Sequence, residues 1–291
     1  MKSFIHYIKT ILQDKKNESE WQLGYVTIGV HDLKQMKRFY TKNLGLSVLQ
    51  SYQHSILLGS AIGSVPMIKL VQIAPPYQQK VLYYIGLKLP KKEYLGDLAN
   101  HLLAENCLIL ASEDDGYSEA FYIKDPENNR IKIYWDKPSI DVQLNFDHQE
   151  ADDLHLPINH LLTIRDNPYD ELPRNSRLAQ VHLSVKDNLI QEEFFTEILP
   201  FETTYDYVMK RRNFKMNHDY YSIATNEWNR THLMKRRPTD LLEIMLYSPN
   251  FRALEAIVKK LEAENIDYTL ENSELVFSTP SHIQLCIKVR E

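Results

Sequence analysis

The chain has 291 residues, 43% of them hydrophobic and 25% charged, enough apolar material for the buried cores of two ordinary domains. With 34 Lys and Arg against 39 Asp and Glu, the net charge of −5 argues against nucleic acid or an anionic membrane as the partner. The two cysteines, Cys107 and Cys286, form no C-x-x-C pair, which speaks against a disulfide framework or thiolate metal site and for a reducing, cytoplasmic compartment.

Residues 1–20 carry Phe4, Ile5, Ile8, Ile11 and Leu12 at helical spacing, which predicts an appended N-terminal helix. Lys9 interrupts the apolar run and no small-residue cleavage site follows, so no signal peptide is expected. No apolar run reaches transmembrane length. From Tyr25 a strand leads through Asp32-Leu33 into an amphipathic helix carrying Phe39-Tyr40, and then into Asn43–Leu46. Tyr84 opens a second strand, followed by a helix that ends near Ala104-Glu105-Asn106. Ala120–Trp135, "AFYIKDPENNRIKIYW", reads as strand, turn and strand. In its last strand Ile131, Ile133 and Trp135 share one face, while Arg130, Lys132 and Tyr134 share the other.

The polar, acidic stretch after Asp136-Lys137-Pro138 contains only one short apolar patch, "LPINHLLTI", and reads as a locally packed joint. Beyond it the plan repeats. Val26, Asp32, Phe39 and Leu44 match Val181, Asp187, Phe194 and Leu199 at one constant offset. Pro90, Leu95 and Ala104-Glu105-Asn106 match Pro249, Leu254 and Ala263-Glu264-Asn265 at another. The expected fold is therefore α+β: four βαβββ modules paired into two similar cup-shaped halves. The expected organisation is an N-terminal helix at 1–20, a first domain at 21–138, a joining segment at 139–176 and a second domain at 177–291.

The residues Asp32-Leu33, Phe39-Tyr40 and Asn43–Leu46, with the hairpin "DPENNRIKIYWDKP" (Asp125–Pro138), resemble the vicinal oxygen chelate superfamily. That family's closing hairpin usually reads D-P-D-G-N-x-I-E-L-Y-W-D-R-P. The resemblance covers about residues 22–136 and 177–289, and the four-module arrangement is similar to two-domain catechol 2,3-dioxygenase-like and glyoxalase-like members. It implies an open cup in which two histidines and a glutamate hold one divalent ion, Fe2+ or Mn2+ ahead of Zn2+.

Carried over, the family's ligand positions fall on Tyr25, Tyr84 and Lys132 in the first half and on Gln180, Glu243 and Gln284 in the second. His182 shares a strand face with Gln180. An ammonium has no lone pair for a metal, so the first half is read as structural, or as a binder of an anionic or phenolic ligand through Tyr25, Tyr84 and Lys132, with Gln180 as a further ligand contact. A metal site is left to His182, Glu243 and Gln284, and its absence is the alternative. No catalytic residue is assigned.

Blander readings stand beside these. Lys132 serves equally as a lysine whose stem covers apolar neighbours while its ammonium meets the cup mouth or an acidic residue. His182 is more often a satisfied strand histidine than a ligand. Lys210-Arg211-Arg212 and Lys235-Arg236-Arg237 read as solvated hairpin loops; if both approach the cup mouth they would favour an anionic ligand. No Gly-rich phosphate loop, nucleophile elbow or H-E-x-x-H helix is present. Two functions follow: a dioxygenase- or glyoxalase-like enzyme acting on a small oxygenated aromatic or carbonyl compound, with any metal chemistry in the second half, or a non-catalytic protein that binds or sequesters such a ligand. Neither nucleic acid nor membrane is expected as a partner, and homodimerisation is left open.

Overall fold

The computed structural model describes residues 20–61, 64–74, 81–138, 155–206, 210–216, 219–228 and 240–290. The N-terminal helix expected over 1–20 lies, apart from Glu20, outside the described residues, as does the Lys235-Arg236-Arg237 cluster. No helix among the described residues is long and apolar enough to cross a membrane.

Four modules follow one plan. The first holds β1 (Gln22–Val30), α1 (Leu33–Arg38) running into a π-helical turn (Phe39–Asn43), β2 (Ser47–Ser51), β3 (Ser55–Gly59) and β4 (Pro66–Gln72). The second holds β5 (Leu82–Lys88), α2 (Lys92–Ala104), β6 (Ala111–Asp114), β7 (Ser118–Lys124) and β8 (Arg130–Asp136). After a short helix α3 (Ile158–Thr163), the third holds β9 (Arg177–Ser184), α4 (Asn188–Glu197), β10 (Glu202–Asp206), β11 (Arg211–Lys215) and β12 (Ile223–Asn226). The fourth holds β13 (Asp240–Ser248), α5 (Phe251–Ala263), β14 (Tyr268–Glu271), β15 (Glu274–Ser278) and β16 (Gln284–Val289).

The repeated Asp32 and Asp187 are helix caps. Asp32 accepts from the Gln35 N–H, and Asp187 from the N–H groups of Leu189 and Ile190. Asn250 does the same for α5 through the Ala253 N–H. Each helix then packs its apolar face on the sheet. Ile28, Ile85, Val181 and Ile244, one from each module's first strand, are fully buried in one continuous core. Burial of each such side chain stabilises the fold by roughly 1.5–3 kcal/mol.

The described strands form two eight-stranded sheets, so the expected α+β fold of four modules paired into two cups is found, but each module takes a different partner from the one expected. The first sheet runs β14-β15-β16-β13-β1-β4-β3-β2, and the second β10-β11-β12-β9-β5-β8-β7-β6. Module one therefore joins module four, and module two joins module three, through the antiparallel pairs β1–β13 and β5–β9. Each cup is shared between the two halves of the sequence instead of lying within one. A repeat reveals which residues are equivalent, but equivalent first strands offer equivalent edges and do not themselves select a partner.

The joining segment braces this arrangement. The Leu172 N–H donates to the Gly45 carbonyl at 2.9 Å, and the Ser60 hydroxyl to the Arg174 carbonyl at 2.7 Å. Gly45 sits at φ +69°, and a Cβ there would lie 2.8 Å from the Leu172 nitrogen. Gly45→Ala is expected to cost about 1–3 kcal/mol, read as a lowered urea midpoint at unchanged slope. A second brace is the Asp125–Asn129 turn. The Glu127 carboxylate accepts the N–H groups of His31 and Asp32 at the entry to α1, so this hairpin ties the second sheet to the first module.

Candidate functional site

The sheet pairing redistributes the residues singled out from sequence. Tyr84, Lys132, Gln180 and His182 share the second sheet, where Tyr84 pairs with His182 and Gly86 lies between Lys132 and Gln180. Tyr25, Glu243 and Gln284 lie in the first sheet, where Glu243 pairs with both Thr27 and Gln284. The proposed ligand set His182, Glu243 and Gln284 is thus split between two sheets, and Tyr25 does not share a cup with Tyr84 and Lys132. Both groupings assumed that modules of one half pair with each other.

In the second sheet, Lys132 is fully buried. Its Nζ lies 2.9 Å from Glu113 Oε1 and 3.5 Å from Asp115 Oδ2, and 5.4 Å from the centre of the Tyr134 ring. Of the two sites expected for its ammonium, the acidic residue is the one found, deep inside the cup. Burial is the largest single influence and works against its charge, but Glu113, Tyr122, Tyr221 and Asp115 together outweigh it and hold the amine well above its ordinary value. Tyr122 completes the group by donating to Glu113 at 2.6 Å.

Arg211 is the second buried cation of this cup. Its Nε donates to Asp206 at 3.0 Å and its Nη1 to the Tyr221 hydroxyl at 3.1 Å, and that hydroxyl also meets the Tyr84 hydroxyl at 2.8 Å. The expectation of a solvated Lys210-Arg211-Arg212 loop is therefore corrected. Arg211 begins β11, and strand alternation turns it into the cup while Arg212 reaches Glu192.

Beside these charges is a cavity of about 270 Å³. Its walls are largely aromatic: Tyr83, Tyr84, Tyr122, His182 and Trp228. The Tyr83 ring stands edge-on to Trp228 at 5.1 Å, and the His182 ring lies 4.8 Å from Tyr84. Arg130, Arg211 and Glu113 supply the charged part of the lining, with Arg130 Nη1 bonded to the Tyr83 hydroxyl at 2.6 Å. His182 is fully buried, and burial, then Arg211 and Lys132, hold its imidazole well below the ordinary histidine value. It is neutral at pH 7.

The first sheet offers a plainer polar face. Glu243 Oε1 accepts from the Thr27 hydroxyl at 2.9 Å, which supplies the partner that a carboxylate in an apolar strand requires. Half-buried Tyr25 sits near Glu243, and burial, then that carboxylate, raise its hydroxyl above the usual tyrosine value.

The divalent ion implied by the resemblance does not fit these donors. The second cup holds the cations Lys132, Arg130 and Arg211, His182 has Nε2 occupied by Asn226 at 2.7 Å, and Glu113 is engaged by Lys132. In the first cup the carboxylates of Glu243 and Glu274 are engaged by the Thr27 hydroxyl and the Cys286 thiol. Among the described residues, no group of three or more His, Cys, Asp or Glu could hold a metal.

Sequence reasoning missed Glu113, Arg130, Arg211, Asn226 and Trp228. Arg130 carried a signal, since it alternates onto the same strand face as Lys132; the others lie on separate strands or loops and become neighbours only through the sheet.

Residues 22–133 match the family model described as Glyoxalase/Bleomycin resistance protein/Dioxygenase superfamily. The chain is 24% identical over 266 residues to catechol-2,3-dioxygenase of Bacillus subtilis (strain 168), covering 88% of this chain and 92% of that protein. A solved structure assigned as a dioxygenase from Bacillus subtilis subsp. subtilis str. 168 superposes with a TM-score of 0.65 at 12% identity, over 93% of this chain and 86% of the other. Glyoxalase I from Zea mays gives 0.59 at 11% identity, over 92% of each chain. These structural likenesses establish the fold. Residues 22–133 thus match the Glyoxalase/Bleomycin resistance protein/Dioxygenase superfamily model, and the likeness to a catechol-2,3-dioxygenase extends over most of the chain.

Proposed function

We propose that the second sheet's cup binds a small aromatic molecule carrying acceptor oxygens, and that it does so without a metal ion. The observation that carries this reading is the Lys132–Glu113 ion pair at the heart of the cup, which balances its charge internally where the family would place a divalent cation. The cavity beside it suits a single ring in volume, and its Tyr83 and Trp228 walls suit a flat apolar face. Arg130 and Arg211 then favour a ligand that presents oxygen. This is the alternative in which the scaffold is kept for binding or sequestration; the two halves of the sequence each contribute one module to the site.

Isothermal titration with catechol and with 4-hydroxyacetophenone, before and after EDTA treatment, tests it. Equal binding in both conditions is expected, and Trp228→Ala should weaken it roughly tenfold, the effect of about 1.4 kcal/mol of lost ring contact. Binding that disappears with EDTA overturns the metal-free reading.

A further inference from the structure

Asn226 decides which nitrogen of His182 carries the proton. The Trp228 backbone N–H donates to Asn226 Oδ1 at 3.1 Å, which identifies the other end of that amide as its NH2 group. The NH2 end faces His182 Nε2 at 2.7 Å. An amide NH2 has no lone pair to offer, so Nε2 must accept, and in a neutral imidazole the proton then resides on Nδ1. His182 Nδ1 is buried and has no hydrogen-bond partner among the described residues. A buried N–H left in this way is destabilising, a penalty that a bound acceptor would remove.

The residue with this unpaired donor lines the cavity. Tyr83 and Tyr84 approach the ring edge-on at 5.0 and 4.8 Å, so they fix its plane without supplying a strong acceptor. Arg130 and Arg211 in the same lining are also donors.

We propose that His182 is held by Asn226 as the Nδ1–H tautomer and serves as an oriented hydrogen-bond donor to a carbonyl or phenolate oxygen of the ligand. His182 is then a specificity-determining contact, and Asn226 a positioning residue that acts through it. The proposal rests on the binding reading above and adds the atom that recognises the ligand's oxygen. It also makes His182 unfit to ligate a metal, since one nitrogen accepts and the other is protonated.

Long-range proton–nitrogen NMR spectra of the full chain read the tautomer directly. The free protein should show Nδ1 protonated and Nε2 bare. Asn226→Asp has the same shape but presents only acceptors, so it should move the proton to Nε2 and reverse the polarity of the ring. Neutral 4-hydroxyacetophenone is the probe, so that the charge added by this variant is not what the titration reports. In the unaltered protein, saturation should shift the Nδ1–H resonance, and Asn226→Asp should weaken calorimetric binding about tenfold or more; Asn226→Gln, an amide that still offers NH2 to His182, should restore part of it.

An Nε2–H tautomer in the free protein overturns the proposal. So does a probe that binds by calorimetry yet leaves Nδ1–H unmoved, which would mean that the N–H only faces the tyrosine rings; the cavity reading would survive that result. No calorimetric binding overturns the cavity reading and the donor role together.

Discussion

Lys132→Met is expected to lower stability by about 3–5 kcal/mol, because it leaves the largely buried carboxylates of Glu113 and Asp115 facing an apolar side chain. The loss should exceed that of an ordinary core change of similar volume, which usually stays below about 1.5 kcal/mol. Direction matters as well as size. Since the ammonium of Lys132 is held well above its ordinary value, it stays charged throughout the range in which the fold is measured. Removing both partners should therefore cost much less than removing one. The double variant Lys132→Met with Glu113→Gln is expected to recover about half of the loss or more, with Asp115 still held by the Ser118 N–H and hydroxyl. Urea titrations of the two single variants and the double variant give the coupling. A Lys132→Met variant as stable as the parent would mean that the pair does not hold the cup together, and the metal-free reading would lose its main support. Supplying Mn2+ or Fe2+ should rescue neither variant, since neither change creates a set of ligands.

Much of the fold could be read in the sequence because its signals are local. Asp32 and Asp187 recur at one offset, and both cap helices. Val26 and Val181 recur likewise, and both are buried. Such features depend on strand alternation and helix termini, which act within a few residues. The sheet pairing was not legible, because β1 finds β13 across more than 200 residues and nothing in β1 alone distinguishes that partner from β5. The site suffered the same limit. Lys132 was visible as a cation on a strand face, but its neutralisation by Glu113 depends on the register of β6 on β7 and of β7 on β8. The reading of His182 as a satisfied strand histidine was half right. Its Nε2 is satisfied by Asn226, 44 positions away, while Nδ1 is not. Arg211 misled for a related reason: a run of three basic residues looks solvated until strand alternation separates them.

The same buried histidine predicts how stability responds to acid. His182 has its imidazole held well below the ordinary 6.5 by burial, then by Arg211 and Lys132. The unfolded chain binds this proton at pH values where the folded one does not, so stability from this group is complete above about 6.5 and is lost as pH falls toward the depressed folded value. The limiting slope is about 1.4 kcal/mol per pH unit. Asp125 acts with the opposite sign. Burial pushes it up to about 6, although its oxygens accept from Tyr40, Glu127 and Asn129. Its contribution is complete below the ordinary 3.8 and is lost as pH rises through about 6. Between about pH 4 and 6 the two groups partly cancel, and the stability curve of the unaltered protein cannot separate them. A difference curve can. His182→Gln removes the imidazole but leaves an amide able to meet Asn226, so it should be less stable than the parent at pH 7.5 and approach or exceed it by pH 5. The gap between the two proteins should change by about 2 kcal/mol over that interval, measured by urea unfolding at each pH. A constant gap would show that the His182 proton is bound equally in folded and unfolded chains, which is incompatible with a neutral, buried imidazole in the wall of the cup.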